Sequence, residues 1–327
     1  MSNCILSVSN LTKRFPINSG FFSKDKSFIH AVTRASFDLL EGETLGIVGE
    51  SGCGKSTLGR TILRLNEANS GQVLFENTDI SKLSGQKLQS YRQNAQMIFQ
   101  DPYASLNPRM TIKEILEEPF DIHGICREKD KKAHAISLLL KDVGLREDVL
   151  NKYPHEFSGG QRQRIGIARA LALKPKLIIC DEPVSALDVS IQSQILNLLK
   201  DLKEKYRMSL LFISHDLSVV KYISDRVAVM YLGSIIEIAD VDKLFSSPKH
   251  PYTKALISSI PKYSKGEKRF KAFIEGDLPN PASPPKGCYF HTRCPYAQDL
   301  CKKVRPELEE ISHGQMSACH FKDSLKL

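Results

Sequence analysis

The 327-residue sequence predicts an α/β fold with a mainly parallel sheet. Short apolar runs alternate with segments of helical periodicity, which is the pattern of strands joined by crossover helices. A glycine-rich phosphate-loop motif directly follows one of these runs, at residues 49–57. Near the C-terminus, the composition changes to a proline-rich stretch at 276–294 and four cysteines between residues 288 and 319.

Composition fits an ordinary globular protein, with 41% hydrophobic and 25% charged residues, and the length suggests about two domains. No apolar run approaches the roughly 18 residues needed to cross a bilayer, so a role at a membrane would require partner subunits. The N-terminus lacks the features of a signal peptide, and we expect a cytoplasmic location. The net charge of +9 comes from scattered basic residues and favours a solvated basic surface over binding to nucleic acid or to an anionic lipid surface.

The N-terminal elements are expected to form an antiparallel β region. Strands are predicted at residues 5–9 and 29–39, separated by a polar insertion at 17–27 that forms a loop or a long hairpin turn. A short apolar strand at 43–49 then runs into the phosphate loop, which opens a helix at 55–65.

The rest of the core is predicted from alternating periodicities. A strand at 95–99 ends before a proline-containing break, and residues 111–152 have helical periodicity that indicates an inserted helical subdomain. The elements expected after it are a helix from about Ser158, a strand at 177–181, an amphipathic helix at 188–204 and a strand at 209–213.

Residues 49–57, GESGCGKST, fit the pattern G-x-x-x-x-G-K-[ST]. Glycines let backbone N–H groups turn toward phosphate oxygens, the lysine reaches the β and γ oxygens, and the serine hydroxyl ligates Mg²⁺. The motif therefore predicts a nucleoside triphosphate with Mg²⁺, contacted by Gly49, Ser51, Gly52, Gly54, Lys55, Ser56 and Thr57.

Two adjacent carboxylates end the predicted strand at 177–181. Asp181 stands where a P-loop protein needs an acid for Mg²⁺. Glu182 is placed to accept a proton from the attacking water or to orient it. The four apolar residues that precede the pair argue against an exposed surface.

A second glycine-rich turn, SGGQ at residues 158–161, opens a helix downstream and offers another phosphate-binding surface. With this turn between the phosphate loop and LIICDEP, the chain resembles an ATP-binding-cassette (ABC) ATPase, whose signature motif is SGGQ. The match continues through FSGGQRQRIGIARAL. The resemblance implies a RecA-like P-loop NTPase core, a helical subdomain at about 101–165, and ATP contacts from Ser158, Gly159, Gly160 and Gln161.

The same resemblance assigns further residues. Gln100, in MIFQDP, matches the glutamine loop that contacts the metal and attacking water and touches the membrane partner. Residues 185–188, SALD, match a loop at the dimer interface, and His215 in ISHDL matches the switch histidine that contacts the γ-phosphate. The expected catalytic set is therefore Lys55, Gln100, Glu182 and His215.

An aromatic ring is expected to stack on adenine in this family. Phe15, in LTKRF, stands at the matching place, although it could also be a core aromatic residue. Phe21, Phe22 and Phe28, in or beside the following insertion, are the alternatives.

The resemblance also implies a head-to-tail dimer in which ATP lies between the phosphate loop of one cassette and the signature turn of the other. ATP binding closes the interface, and hydrolysis with Glu182 as the base reopens it. A paralogous ATPase is favoured over a second copy as the partner, because the subfamily usually uses two different ones.

The C-terminal sequence resembles one subfamily. KHPYTKAL at 249–256 and GDLPNPASPPKGCYFHTRC at 276–294 are similar to the tails of oligopeptide and dipeptide importer cassettes. This similarity implies a cassette at 1–245, an extension at 246–327, two transmembrane permease subunits, an extracytoplasmic peptide-binding protein, and a peripheral location at the cytoplasmic face of the membrane. Importers of nickel or other solutes are an alternative.

The tail cysteines have the spacing C-x₅-C-x₆-C-x₁₇-C. In a cytosolic protein such a cluster indicates metal rather than disulfides, and four thiolates suit tetrahedral zinc or a [4Fe–4S] cluster equally well. Peptide-importer cassettes carry a [4Fe–4S] cluster in this tail, so the resemblance favours iron–sulfur, with zinc and plain reduced thiols left open. The expected ligands are Cys288, Cys294, Cys301 and Cys319, for which His291, His313 or His320 could substitute.

A rival class is a soluble ABC-type ATPase that acts on nucleic acid, for which a basic charge and a cysteine module would be natural. Such proteins usually contain two cassettes, long coiled coils or zinc inserts within the cassette. This sequence has one cassette and no sustained heptads, and its clustered cysteines lie at the end. The importer is therefore favoured, with no nucleic-acid partner.

Overall fold

The computed structural model describes residues 3–17, 27–260 and 276–325. The elements up to the helical subdomain are β1 (Cys4–Pro16), β2 (Phe28–Leu40), β3 (Thr44–Val48), α1 (Lys55–Ile62), β4 (Ser70–Phe75), β5 (Thr78–Asp79), α2 (Gly85–Asn94), β6 (Ala95–Ile98), α3 (Ile112–His123) and α4 (Lys129–Asp142). The elements after it are α5 (Gly159–Leu171), β7 (Leu177–Asp181), α6 (Val189–Tyr206), β8 (Ser209–Ser214), α7 (Leu217–Ile223), β9 (Arg226–Tyr231), β10 (Ser234–Asp240), α8 (Val241–Ser246), α9 (Pro251–Ser258), α10 (Asp299–Lys303), β11 (Glu309–Ser312) and β12 (Gln315–Ser317).

These elements belong to two compact units. The first consists of the described residues of Met1–Ile5, Leu39–Glu43 and Lys82–Ile213, and the second of those of Leu6–Asp38, Thr44–Ser81 and Ser214–Leu327. The phosphate loop and the cysteine tail therefore belong to the second unit, whereas the signature turn and the two strand-end carboxylates belong to the first.

The first unit contains three parallel strands in the order β6, β7, β8. Ile179 in the central strand pairs with Met97 on one side and with Leu211 on the other. All three residues are buried, and every residue of β7 is buried, as expected for a parallel strand covered on both faces. Polar side chains at the carboxyl end of β7 are consequently held by a rigid core.

The helical part of the first unit is organised around α5, which packs against β6, α3, α4 and α6. Helix α3 begins with a capping box in which the Thr111 hydroxyl accepts the Glu114 backbone N–H, while the Glu114 carboxylate accepts the Thr111 N–H at 2.7 Å. This reciprocal pair satisfies donors that the first turn leaves without helical partners.

The second unit contains a four-stranded sheet in the order β2, β1, β4, β5, with β1 and β4 antiparallel. Strand β3 pairs in parallel with β9, which continues antiparallel into β10, β12 and β11. The C-terminal hairpin β11–β12 thus extends the sheet that carries the phosphate loop. Tyr231, Tyr252 and Phe290 pack edge to face beside it, with ring centroids 4.8 to 5.4 Å apart.

The predicted α/β class, the antiparallel N-terminal region and the helical insertion are confirmed, with some changes at element ends. The helix expected at 55–65 ends at Ile62, and the helical run 111–152 divides into two α-helices and a 3₁₀ turn. The hairpin β9–β10 was missed because its turn, Leu232-Gly233, has positive φ at both residues without the Asn-Gly or Asp-Gly sequence that normally signals it. Among the described residues, none of the helices combines the length and apolar character needed to cross a bilayer.

Candidate nucleotide-binding and catalytic residues

The phosphate loop connects the fully buried strand β3 to helix α1 in the second unit. Lys55, the first residue of α1, is 4% exposed. Its ammonium Nζ donates to the carbonyl oxygens of Gly49 at 2.8 Å and Glu50 at 3.0 Å. The loop backbone therefore holds the lysine ammonium group within the loop, where it could bind a phosphate oxygen.

Gly54 has a conformation that the loop requires. Its φ of +104° lies in the region that L residues rarely adopt, and a Cβ atom there would lie 1.9 Å from the Ala31 carbonyl oxygen. The neighbouring Cys53 thiol is buried, and burial raises its pKa to about 11, so it stays protonated at neutral pH. The other predicted contacts are exposed at Ser51 and Gly52 and half-buried at Ser56 and Thr57.

The remaining predicted residues of the second unit lie near strand ends. His215 is exposed and directly follows β8, and the Asp216 carboxylate caps α7 by accepting two backbone N–H groups. Phe15 is half-buried near the end of β1, with the Lys13 ammonium 4.7 Å from its ring centroid, and Phe28 begins β2. Phe21 and Phe22 lie outside the described residues.

In the first unit, Asp181 and Glu182 follow the buried strand β7 as the sequence predicts. Asp181 is completely buried, whereas Glu182 is half-buried with a φ of +47°. Its backbone N–H donates to the Ile213 carbonyl at 3.0 Å, which holds this unusual conformation. Gln100 Nε2 donates to Glu182 Oε2 at 3.0 Å, so the structure brings these two predicted catalytic residues together.

The signature turn is the N-terminus of α5. Ser158 is the N-cap, its hydroxyl accepts the Gln161 N–H, and the Gln161 side-chain oxygen accepts the Ser158 N–H at 3.1 Å. Gly160 fits closely over α6, because a Cβ there would lie 2.5 Å from Ile191 Cγ2. The turn is therefore a capped helix N-terminus, a geometry suited to anions.

The SALD segment, residues 185–188, contacts both Glu182 and the signature turn. Ser185 Oγ donates to the Glu182 carbonyl at 3.0 Å, and the Leu187 side chain lies 3.3 Å from the position of a Gly159 Cβ. Asp188 then forms the N-cap of α6. One four-residue segment is therefore in contact with Glu182 at its start and with Gly159 near its end.

Two arginines of α5 bind the segment that follows Gln100. The Arg162 guanidinium lies 3.8 Å from the centroid of the Tyr103 ring, and Arg169 donates to the Ser105 carbonyl at 2.6 Å. Arg162 also donates to the Pro154 carbonyl at 2.6 Å just before the signature turn. The sequence gives no signal for these contacts, because arginines are frequent on helices and their partners are distant in the chain.

The four tail cysteines line one small cavity in the second unit, together with His250, His291 and His320. Burial raises the pKa of Cys288 and of Cys294 to about 11 and also raises that of Cys319, so these thiols are protonated at neutral pH without a ligand. Within the described residues, no three His, Cys, Asp or Glu side chains are positioned to hold a metal ion. The donor types suit a metal centre, whereas the present side-chain positions do not surround a single ion.

Of the three histidines named as substitutes, His291 and His320 line the same cavity as the cysteines. A ring nitrogen of His291 lies 2.8 Å from the Cys288 carbonyl oxygen, and one of His320 lies 2.9 Å from that of Val304. His313 is exposed and is not among the residues that line the cavity.

The tail also contacts the phosphate loop, a contact that no sequence motif predicts. Arg293 Nη1 donates to Glu50 Oε2 at 3.0 Å, and the Glu50 backbone N–H donates to the Tyr252 hydroxyl oxygen at 3.0 Å. Arg293 and Glu50 are 243 residues apart in the chain. A charge pair over that separation leaves no local pattern that a single sequence could reveal.

A buried strand that leads into a phosphate loop and a second buried strand that ends in two carboxylates define a P-loop NTPase. A model of the ABC transporter family matches residues 32–185, and a model of the oligopeptide/dipeptide transporter C-terminal region matches residues 236–301. The oligopeptide transport ATP-binding protein AppF of Bacillus subtilis (strain 168) is 55% identical over 97% of each chain. The chain therefore belongs to the family of ABC transporter ATP-binding proteins, as its motifs predicted.

Other relatives agree with this assignment. The putative oligopeptide transport ATP-binding protein YkfD of the same B. subtilis strain is 50% identical, over 97% of this chain and 95% of YkfD. The dimeric ATP-binding cassette MJ0796, solved in a post-hydrolysis state with ADP and Pi, has a TM-score of 0.64 at 28% identity and covers 72% of this chain and 98% of its own. The structure of cbiO1 from Clostridium perfringens, part of the ABC transporter complex cbiONQ, has a TM-score of 0.64 at 27% identity, covering 75% and 92% of the two chains.

Proposed function

We propose that this chain is the ATP-hydrolysing subunit that powers import of dipeptides and oligopeptides across the cytoplasmic membrane. The observation that carries the proposal is the similarity to AppF, which extends through the C-terminal region as well as the cassette. The tail distinguishes peptide importers from ABC ATPases in general, and a nickel or other small-solute importer is the second candidate.

The proposed catalytic roles are those that the motifs and the ABC family assign to these residues, and the geometry within each unit supports them. In the second unit, Lys55 binds the β and γ oxygens of ATP, and Ser56 ligates Mg²⁺. In the first unit, Asp181 supplies a carboxylate for Mg²⁺ and Glu182 accepts a proton from the attacking water. The hydrogen bond from Gln100 orients the Glu182 carboxylate, which would keep it in position to act as the base. His215 completes the set by contacting the γ-phosphate.

The proposed assembly is a head-to-tail dimer in which Ser158, Gly159, Gly160 and Gln161 bind the ATP held by a partner cassette. The capped, exposed N-terminus of α5 supports this role, since such a terminus favours negative charge. We propose a paralogous ATPase as the partner, two transmembrane permease subunits, and an extracytoplasmic peptide-binding protein that acts through the complex.

The subunit would work at the cytoplasmic face of the membrane as a peripheral protein. We divide it into a nucleotide-binding domain at 1–245, with the helical subdomain at about 101–165, and the peptide-transporter extension at 246–327. Phe15 is the proposed adenine-stacking residue, because its ring is half-buried at the end of β1 in the same unit as the phosphate loop.

A [4Fe–4S] cluster is the metal centre that we propose for the tail. Four cysteines that line one cavity supply the number and type of ligands that such a cluster needs, and zinc, which takes the same ligands, is the alternative. Bound there, the cluster would cross-link the tail. Its ligands would be the thiolates of four residues, Cys288, Cys294, Cys301 and Cys319.

The substitution Glu182→Gln tests the catalytic proposal. The variant keeps the size of the side chain and an oxygen that accepts from Gln100, so ATP should bind as in the wild type. Loss of the base should lower turnover by about 100-fold or more. Glu114→Gln is the matched control, because Glu114 is also hydrogen-bonded but belongs to the cap of α3. Undiminished hydrolysis by the Glu182 variant would remove that residue from its role.

Isolation of the complex from its native membrane tests the transport proposal. Permease subunits and bound peptide should co-purify with the chain, and ATP-dependent uptake of peptide into vesicles should require it. Recovery of a nickel-loaded complex would support the second candidate instead. Salt-sensitive DNA binding that stimulates ATP hydrolysis would contradict both.

A further inference from the structure

Glu50 is the second residue of the phosphate loop, and the tail holds its side chain. Its carboxylate accepts from Arg293, and the two side chains are only 27% and 8% exposed. Arg293 directly precedes Cys294, and its guanidinium also lies 3.5 Å from the Tyr231 hydroxyl. An ion pair sheltered in this way is screened less by solvent than a surface pair.

The backbone of Glu50 is held as well. Its N–H donates to the Tyr252 hydroxyl, and its carbonyl accepts from Lys55 Nζ at 3.0 Å and from the Cys53 N–H at 3.2 Å. Tyr252 cannot shift easily, because its ring is completely buried against Tyr231 and Phe290.

Glu50 consequently connects two sets of groups within the second unit. One set, Arg293 and Tyr252, belongs to the C-terminal part of the chain, and the other, Lys55 and Cys53, belongs to the phosphate loop. A change in the position of the Glu50 peptide would move the carbonyl that holds the Lys55 ammonium. The lysine must point at the β and γ oxygens to bind ATP. Because the tail holds Glu50, and the Glu50 carbonyl holds the lysine, the tail could affect where the lysine points.

We propose that Arg293 and Tyr252 are positioning residues of the nucleotide site, and that the C-terminal extension sets the affinity of the phosphate loop for ATP by holding Glu50. The inference rests on the proposed role of the loop in binding ATP. It differs from a purely structural role, in which the ion pair would anchor the tail and leave ATP affinity unchanged.

The test is calorimetric titration of the purified full-length chain with ATP and Mg²⁺. Arg293→Met keeps the length of the side chain and removes its charge, whereas Glu50→Gln removes the charge on the loop side and leaves the tail intact. Each should raise the dissociation constant by about tenfold, and the double variant should be no worse than either single one. Arg293→Lys should recover part of the loss.

Arg305→Met is the matched control. Arg305 is another tail arginine, and it donates to Ser234 Oγ at 2.8 Å rather than to the phosphate loop. We expect that variant to bind ATP as the wild type does. A shared loss of affinity in all tail variants would mean that the tail acts only through folding, and would overturn the inference.

Two further outcomes separate the inference from the proposed function. Wild-type affinity in both Arg293→Met and Glu50→Gln would overturn the inference alone, provided that Lys55→Ala abolishes binding. Undiminished binding by Lys55→Ala would instead contradict the proposed nucleotide site. If Arg293→Met lowers the melting temperature, its ATP affinity does not separate positioning from folding. The ATP affinity of Glu50→Gln then tests the inference, because that variant retains every residue of the tail.

Discussion

Replacement of Gly54 by alanine should disable the phosphate loop. A methyl group at this position would lie 1.9 Å from the Ala31 carbonyl oxygen, whereas real Cβ atoms essentially never approach closer than 3.0 Å. The loop and strand β2 would have to separate by roughly 1 Å, and alanine at a φ of +104° adds about 1 to 2 kcal/mol of backbone strain. A displacement of about 1 Å in a positioned group can lower a reaction rate about 100-fold.

Gly52 provides the matched control within the same loop. Its φ of +79° carries the same kind of strain, but nothing lies within 4 Å of a Cβ built there. Gly52→Ala should therefore weaken ATP binding by at most about 5- to 30-fold, which corresponds to strain of about 1 to 2 kcal/mol.

The assay compares ATP affinity and turnover for the two variants with those of the wild type, after circular dichroism has confirmed that each is folded. Gly54→Ala should lose at least about 100-fold in turnover and should be the more severe change. Equal activity of the two variants would refute the reasoning, because it would mean that the contact with Ala31 does not constrain the loop.

Three further predictions concern the rest of the chain. Burial raises the pKa of Glu237 from 4.5 to about 7, so the folded chain keeps a proton that the unfolded chain releases. The free energy of unfolding, measured by urea denaturation, should fall by about 3 kcal/mol as the pH rises from 4.5 to 7. Glu237→Gln should flatten the dependence of this free energy on pH. An unchanged dependence in the variant would contradict the assignment. Cys301→Ser should remove iron and acid-labile sulfide from anaerobically purified protein while Cys126→Ser retains both, and their absence from the wild type would defeat the cluster proposal. Thr111→Ala should remove the capping box of α3 and cost about 1 kcal/mol, seen as faster amide exchange in that helix; unaltered exchange would show that the cap is dispensable.

The parts of the site that sequence reasoning placed well are those whose chemistry is local. Three parts of the site combine a periodic element with a short motif: Lys55, the run that ends in Asp181 and Glu182, and the cap at Ser158. Each begins or ends a helix or strand at the expected residue. Local hydrogen bonding and burial determine such boundaries, so a single sequence contains the necessary information.

Long-range pairing explains most of what was not predicted. Strand β12 pairs with β10, at Glu237 opposite Ser317, and Arg293 reaches Glu50 across most of the chain. The hairpin β11–β12 is short and largely polar on one strand, so it lacks the apolar alternation that marks a longer strand. The sequence predicts that Gln100 and Glu182 belong to one catalytic set, but it does not predict the hydrogen bond between their side chains.

The two arginines of α5 give the signature helix a mechanical role. Arg162 lies against the Tyr103 ring and Arg169 donates to the Ser105 carbonyl, both in the loop after Gln100. Gln100 itself donates a hydrogen bond to the Glu182 carboxylate. If Glu182 is the base, as proposed, a rearrangement around the reacting water would reach α5 through these contacts. In the proposed dimer, α5 would present SGGQ to the partner cassette while contacting the catalytic loop of its own. Hydrolysis in one cassette would then affect how its signature turn binds the ATP of the other.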